Sequence, residues 1–159
     1  MLVNIKNQIH QIFINPVFLS CVTSWFFAQL VKTLIKLLTG KVSSIKELFS
    51  LLLWRTGGMP SSHSALVVSV GTSIGFRHGF DSDLCILATC FALVVVRDAL
   101  GVRRASGTQA KAINDLGEEL DRKDILDFSP IKVIQGHKPL EVIIGCFLGF
   151  FISLAFATL

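Results

Sequence analysis

Four apolar runs separated by polar connections set the plan of this chain. The first extends from about Pro16 to Leu38, within NPVFLSCVTSWFFAQLVKTLIKLL from Asn15, and Pro16 stands where a helix start accepts proline. The second follows the SSHS stretch, from Ser64 to about Phe76, and the third covers Leu84 to Val96. The fourth runs from Glu141 to the C-terminus, with Pro139 just ahead of it. The middle two fall short of the ~20 residues a helix needs to cross a bilayer. They reach that length only if polar ends such as Ser61 to Ser64 and Arg97 to Gly101 belong to the helices. Polar groups at that depth are costly unless they line a cavity or pair with one another, which points to a site at those ends. Residues 1–15 lack a continuous apolar core and read as a short amphipathic segment on the membrane surface. The ASGTQAKAINDLGEELDRKD stretch, inside the long connection from Gly101 to Lys138, predicts a helix near the interface and then a polar turn. The expected fold class is all-α: one domain over 1–159, a polytopic membrane helix bundle of about four transmembrane helices plus an interfacial helix.

Composition supports that plan. Of 159 residues, 52% are hydrophobic and 16% charged, with mean hydropathy +0.65, too apolar for a soluble domain of this length. The net charge of +4 raises nucleic acid as a partner. The basic residues, however, fall between the apolar runs rather than in a stripe interleaved with aromatics, so no nucleic-acid partner is expected. With four spans, one side carries Lys6 and Arg77. The other carries Lys41, Lys46, Arg55, Arg103, Arg104, Lys111, Arg122, Lys123, Lys132 and Lys138, which makes it the cytoplasmic face. Cys21, Cys85, Cys90 and Cys146 all lie in apolar stretches without metal-ligand spacing and read as small core residues. Two GxxxG pairs, Gly71 with Gly75 and Gly145 with Gly149, suggest that the second and fourth spans pack closely, bringing their N-terminal ends together.

Three polar clusters share the basic face. Arg55-Thr-Gly-Gly-Met-Pro-Ser-Ser-His63 opens the second span. A glycine- and serine-rich turn at a helix start offers backbone N–H groups and a positive dipole end to a phosphate, with Ser61 and Ser62 nearest to it. His63 beside that turn is placed to give a proton to a leaving oxygen. Arg97-Asp98-Ala-Leu-Gly-Val-Arg103-Arg104 closes the third span; the guanidiniums suit a phosphoryl group and Asp98 is their orienting partner. Gly136-His137-Lys-Pro139-Leu-Glu141 enters the fourth. With Pro139 first in the helix, Glu141 reaches back towards His137, and a carboxylate on one imidazole nitrogen leaves the other nucleophilic. Each cluster alone also fits a plainer role, as a helix cap with an interfacial histidine, a positive anchor or an ordinary helix start. His10 and His78 fall on the opposite side and are given no role.

GGMPSSHSA, DALGVRR and GHKPLEV, in this order in a chain of four spans, resemble the divergent branch of the type 2 phosphatidic acid phosphatase superfamily, also described as related to acid phosphatases and vanadium-dependent haloperoxidases. The similarity extends over nearly the whole chain, NPVFLSCVTSWFFAQ included. The superfamily's proline-serine-glycine-histidine motif corresponds to Pro60-Ser61-Ser62-His63, with serine for glycine, and its histidine followed three residues later by aspartate to His137 and Glu141. The resemblance implies that His137 attacks phosphorus to form a phosphohistidine, that His63 protonates the leaving alcohol, and that Glu141 orients His137. It implies a lipid-linked phosphate or diphosphate as substrate, with neither metal nor other cofactor. Two motifs depart: Pro130-Ile131 stand where the superfamily has serine-arginine, and Lys46 and Arg55-Thr56 do not reproduce its lysine and arginine-proline. Arg103 and Arg104, assisted by Arg55, are the expected substitutes. Alternatives are a membrane protein that binds or scaffolds lipid phosphates without turnover, and transfer of the phosphoryl group to an acceptor other than water. Four helices are few for a buried phosphoryl pocket, so a homodimer among membrane lipids is expected.

Overall fold

A computed structural model describes residues 2–40, 44, 52, 58–133 and 136–158. Among them every regular element is helical: α1 Leu2–Phe13, α2 Pro16–Leu38, α3 Ser62–His78, α4 Asp83–Leu100, α5 Val102–Asp121 and α6 Pro139–Thr158. The apolar runs therefore mark the helices, and the polar ends of the two short runs are helical from Ser62 and as far as Leu100, with Ser61 and Gly101 as the caps. Each boundary has a local cause. Asn15 caps α2 by accepting from the Val17 amide, with Pro16 next. Ser61 and Ser82 cap α3 and α4 through their side chains. Gly101 ends α4, its N–H bonded to the Arg97 carbonyl, and starts α5 without a side-chain cap. Proline opens α6, as its position ahead of the last apolar run predicts.

Among the described residues three helical stretches are long and apolar enough to cross a membrane: Pro16–Leu38, Pro139–Thr158 and the continuous run Asp83–Asp121, of which α4 is the apolar part. The shorter α3 is the hub of the bundle, packed against α2, α4 and α6. Its polar residues are thereby screened from lipid: Ser62, Ser64, Ser69, Thr72 and Ser73 are all buried. The large apolar side chains point the other way. Phe26, Phe27, Leu30 and Leu34 of α2, Leu87, Phe91 and Leu93 of α4, and Phe147 and Phe151 of α6 are exposed on the outside of the bundle. In lipid there is little to gain by burying leucine, so the helices meet through small residues and hydroxyl pairs instead.

Helices α3 and α6 run side by side in the same direction. Ser153 Oγ donates to the Ser69 carbonyl at 3.0 Å and pairs with its hydroxyl at 2.7 Å, while Gly145 and Gly149 lie against the backbone of Ser61 and Ala65. At the top of this contact the Ser61 N–H donates to the Glu141 carbonyl at 2.9 Å, so the two helix entries are tied together. The expectation that these entries meet holds, but only one of the two glycine pairs makes the contact. Gly71 faces Thr89 of α4 and Gly75 faces Phe80, because the α3 surface towards α6 is formed by Ser61, Ala65 and Ser69, on the other side of the helix. Helix α2 runs antiparallel to α3, with Ser20 Oγ 2.6 Å from Ser73 Oγ near its start and Lys32 near the α3 entry at its other end.

Candidate functional site

The entries of α3 and α6, the end of α2 and the α4–α5 junction converge at one end of the bundle. His137 stands two residues before α6 and is 5% exposed. Its Nδ1 is 2.9 Å from Glu141 Oε2, one helical turn on, and the two side chains are 6% and 16% exposed. Ionised glutamate can only accept, so it fixes the proton on Nδ1 and leaves Nε2 with a free lone pair. His63, in the first turn of α3, is within electrostatic reach of His137, Arg103, Lys32 and Asp98. Both histidines and the carboxylate singled out in the sequence are thus brought together.

The basic residues divide. Arg103 Nε donates to Asp98 Oδ2 at 2.8 Å, an exposed pair in which Asp98 orients the guanidinium beside His63. Arg104 takes a different course. It lines an open surface groove with Gly101, Ala105, Thr108 and Gln109, and its Cα and backbone nitrogen press against Gly136 of the His137 segment. Adjacent positions on a helix are turned about 100° apart, so two neighbouring arginines do not face one site. Arg55 lies outside the described residues. Ser61 is wholly buried, but its hydroxyl caps the Ser64 amide and its own amide serves Glu141. It therefore holds the site together rather than lining it, and the first-turn amides of Ser62 and His63 are the ones left beyond the helix ladder.

Lys32 was not legible as a site residue. It lies inside the first apolar run, where a lysine two turns from the helix end passes for one that reaches out to the interface. In the structure it turns inward instead: it is 2% exposed, its Nζ donates to Gln29 Oε1 at 3.0 Å, and its stem lies against Gly58 of the loop leading to His63. It feels the charges of Glu141 and Lys36, and His63 feels its charge in turn. Among the described residues no carboxylate is within ion-pair distance of it. The missed signal was Gln29 three residues ahead of Lys32: two strongly polar residues on one face of a membrane helix mark a function.

A buried ammonium and an exposed guanidinium paired with Asp98 thus lie near two histidines, one of them held by a second carboxylate. The chain is 35% identical over 150 residues to the membrane protein YuiD of Bacillus subtilis (strain 168), an uncharacterized protein; the match covers 87% of this chain and 92% of YuiD. No solved structure matches it. Residues 13–152, which include every site residue described above, match the model of the divergent PAP2 family, and to that family this chain belongs.

Proposed function

We propose that this protein is a membrane-embedded phosphatase that hydrolyses a lipid-linked phosphate or diphosphate through a phosphohistidine. The observation that carries this reading is the buried His137–Glu141 pair at 2.9 Å, set near His63 and an ammonium that has no carboxylate partner among the described residues. His137 Nε2 forms the N–P bond as the bond from phosphorus to the leaving oxygen breaks, and His63 gives that oxygen a proton. Water then attacks phosphorus, the N–P bond breaks, and the water proton passes to His63, which returns to its starting state. Lys32 and Arg103 hold the non-bridging oxygens. Electrostatic stabilisation of this kind usually contributes most to the rate of phosphoryl transfer. The substrate enters sideways from the bilayer, and the concentration of basic residues at this end favours the cytoplasmic side for the site.

A second reading has its own support. Ile131 stands where the superfamily motif carries an arginine, and Arg103 is 43% exposed, so the site holds less fixed positive charge than that motif implies. That favours a protein that binds a lipid phosphate without turning it over. Purified protein in mild detergent, assayed for phosphate release from a panel of lipid phosphates, separates the two. Release that disappears in both His137→Ala and His63→Ala supports the hydrolase. Equal inactivity of wild type and variants, with lipid phosphate still bound, replaces it with the binding protein. Vanadate, a mimic of the transferring phosphoryl group, is expected to inhibit the wild type.

A further inference from the structure

His137 is not part of α6; it is delivered to it by the chain that returns from α5. That return is held along one face of α5. Gly107 and Gly117 are the buried residues of this helix, and the Phe128 ring lies directly against Gly117. One turn earlier on the helix, Asn114 Nδ2 donates to the Ile131 carbonyl at 2.9 Å, and the Ile131 N–H donates to Asn114 Oδ1 at 2.9 Å. A side-chain amide thus pairs with both backbone groups of one residue, and only this orientation of the amide satisfies both. At the start of α5 the backbone of Arg104 meets Gly136 so closely that no β-carbon fits between them. The three fixes are in order: 117, 114 and 104 on the helix against 128, 131 and 136 on the returning chain.

We propose that Asn114 is a positioning residue for His137, acting through its clasp on Ile131. The clasp, the Gly136 contact and His137 itself fall within seven residues of chain, 131–137, so where Ile131 is held bears on where the histidine arrives. The Pro130-Ile131 step that replaces serine-arginine is therefore not idle, since it carries a backbone handle where the superfamily carries a charge. Asn114 touches no reacting atom in this scheme.

The kinetic half of the test rests on the hydrolase reading, and the structural half does not. Both use the full chain in detergent, on the folded, monodisperse fraction. Asn114→Ala removes both hydrogen bonds. Asn114→Asp keeps an acceptor for the Ile131 N–H and loses the donor to its carbonyl. We expect kcat to fall from wild type through Asn114→Asp to Asn114→Ala, by about 10–100-fold in the last, the scale of a misplacement of ~1 Å, with KM little changed. In protein labelled with ¹⁵N-histidine, the His137 Nδ1–H signal, assigned by its loss in His137→Ala, should shift in the same order. The inference is overturned if Asn114→Ala speeds hydrogen exchange at the Ile131 amide, proving the clasp open, while kcat and the His137 signal stay at wild-type values. If wild type itself releases no phosphate, the hydrolase reading fails separately and the His137 signal alone decides: a shift upholds the positioning role and an unmoved signal ends it. If Asn114→Ala does not fold, Asn114→Asp carries the same comparison.

Discussion

Two regions hold His137 and Glu141 in register, and they do so by opposite means. In the α2–α3–α6 seam, helices approach through side chains that are small or missing: Gly145 and Gly149 against the α3 backbone, Ser153 against Ser69, Ser20 against Ser73. Contacts of that kind repeat every turn and have no give. Along α5 the returning chain is exposed and is held at separate points by a ring, an amide and a close backbone approach. Glu141 belongs to the seam and His137 arrives from the returning chain, so the hydrogen bond between them is also the joint between a rigid region and a pinned one. Stability therefore belongs chiefly to the seam, whereas the aim of the nucleophile depends on both.

That contrast can be broken from either side. The largest effect is expected from Gly149→Leu, since even a β-carbon there would run into the Ala65 carbonyl. Forcing α6 from α3 by several methylenes exceeds the ~1–3 kcal/mol typical of overpacking, and monodisperse protein should be lost on size exclusion. Next is Lys32→Met, which should divide function from stability. Losing one preorganised donor costs ~10²–10³-fold in kcat, whereas an apolar residue of similar volume removes the desolvation cost of the buried charge. Phosphate release and vanadate inhibition should fall while thermal unfolding moves upward; a fall in both would mean that Lys32 is structural. Gly117→Val works on the pinned side, where it would displace the Phe128 ring. It should cost about 1 kcal/mol and raise hydrogen exchange in residues 125–133 while leaving the seam protected. The smallest effect is expected from Asp98→Asn. The Arg103 pair is exposed, so its loss should change stability by no more than ~0.2–1 kcal/mol and matter mainly for substrate affinity at low salt.

What could be read in the sequence follows the same division. The helices were legible because long apolar runs with proline or serine at their starts leave few choices in a membrane, and Pro16 and Leu38 bound α2 as the pattern implies. The His137–Glu141 bond was legible because it is local, four residues apart across a helix start. Long-range consequences were not. That Arg103 faces His63 while Arg104 turns to a groove depends on where α5 begins after Gly101, which charge patterning does not reveal. That Gly145 and Gly149 meet α3 but Gly71 and Gly75 do not meet α6 depends on helix rotation, and a GxxxG spacing marks a close approach without naming the partner. Lys32 escaped notice because its burial comes from Gly58 and the rest of the bundle, not from its neighbours in sequence.

The Gln29–Lys32 hydrogen bond has a consequence for how the protein is made. Helix α2 leaves the ribosome long before α3 and α6, the elements that later enclose its lysine. The bond is internal to α2 and forms as soon as that helix does, so the ammonium can enter the bilayer with an acceptor already in place. The twelve Leu, Ile, Phe and Val residues of α2 contribute roughly 4–7 kcal/mol to insertion, against a cost for Lys32 and Lys36 that is ~2.5–3.5 kcal/mol per lysine at the bilayer centre and less near a helix end. Both lysines stand in the half of α2 that ends at Leu38, and the internal acceptor lowers the cost of the deeper one before the later helices close over it.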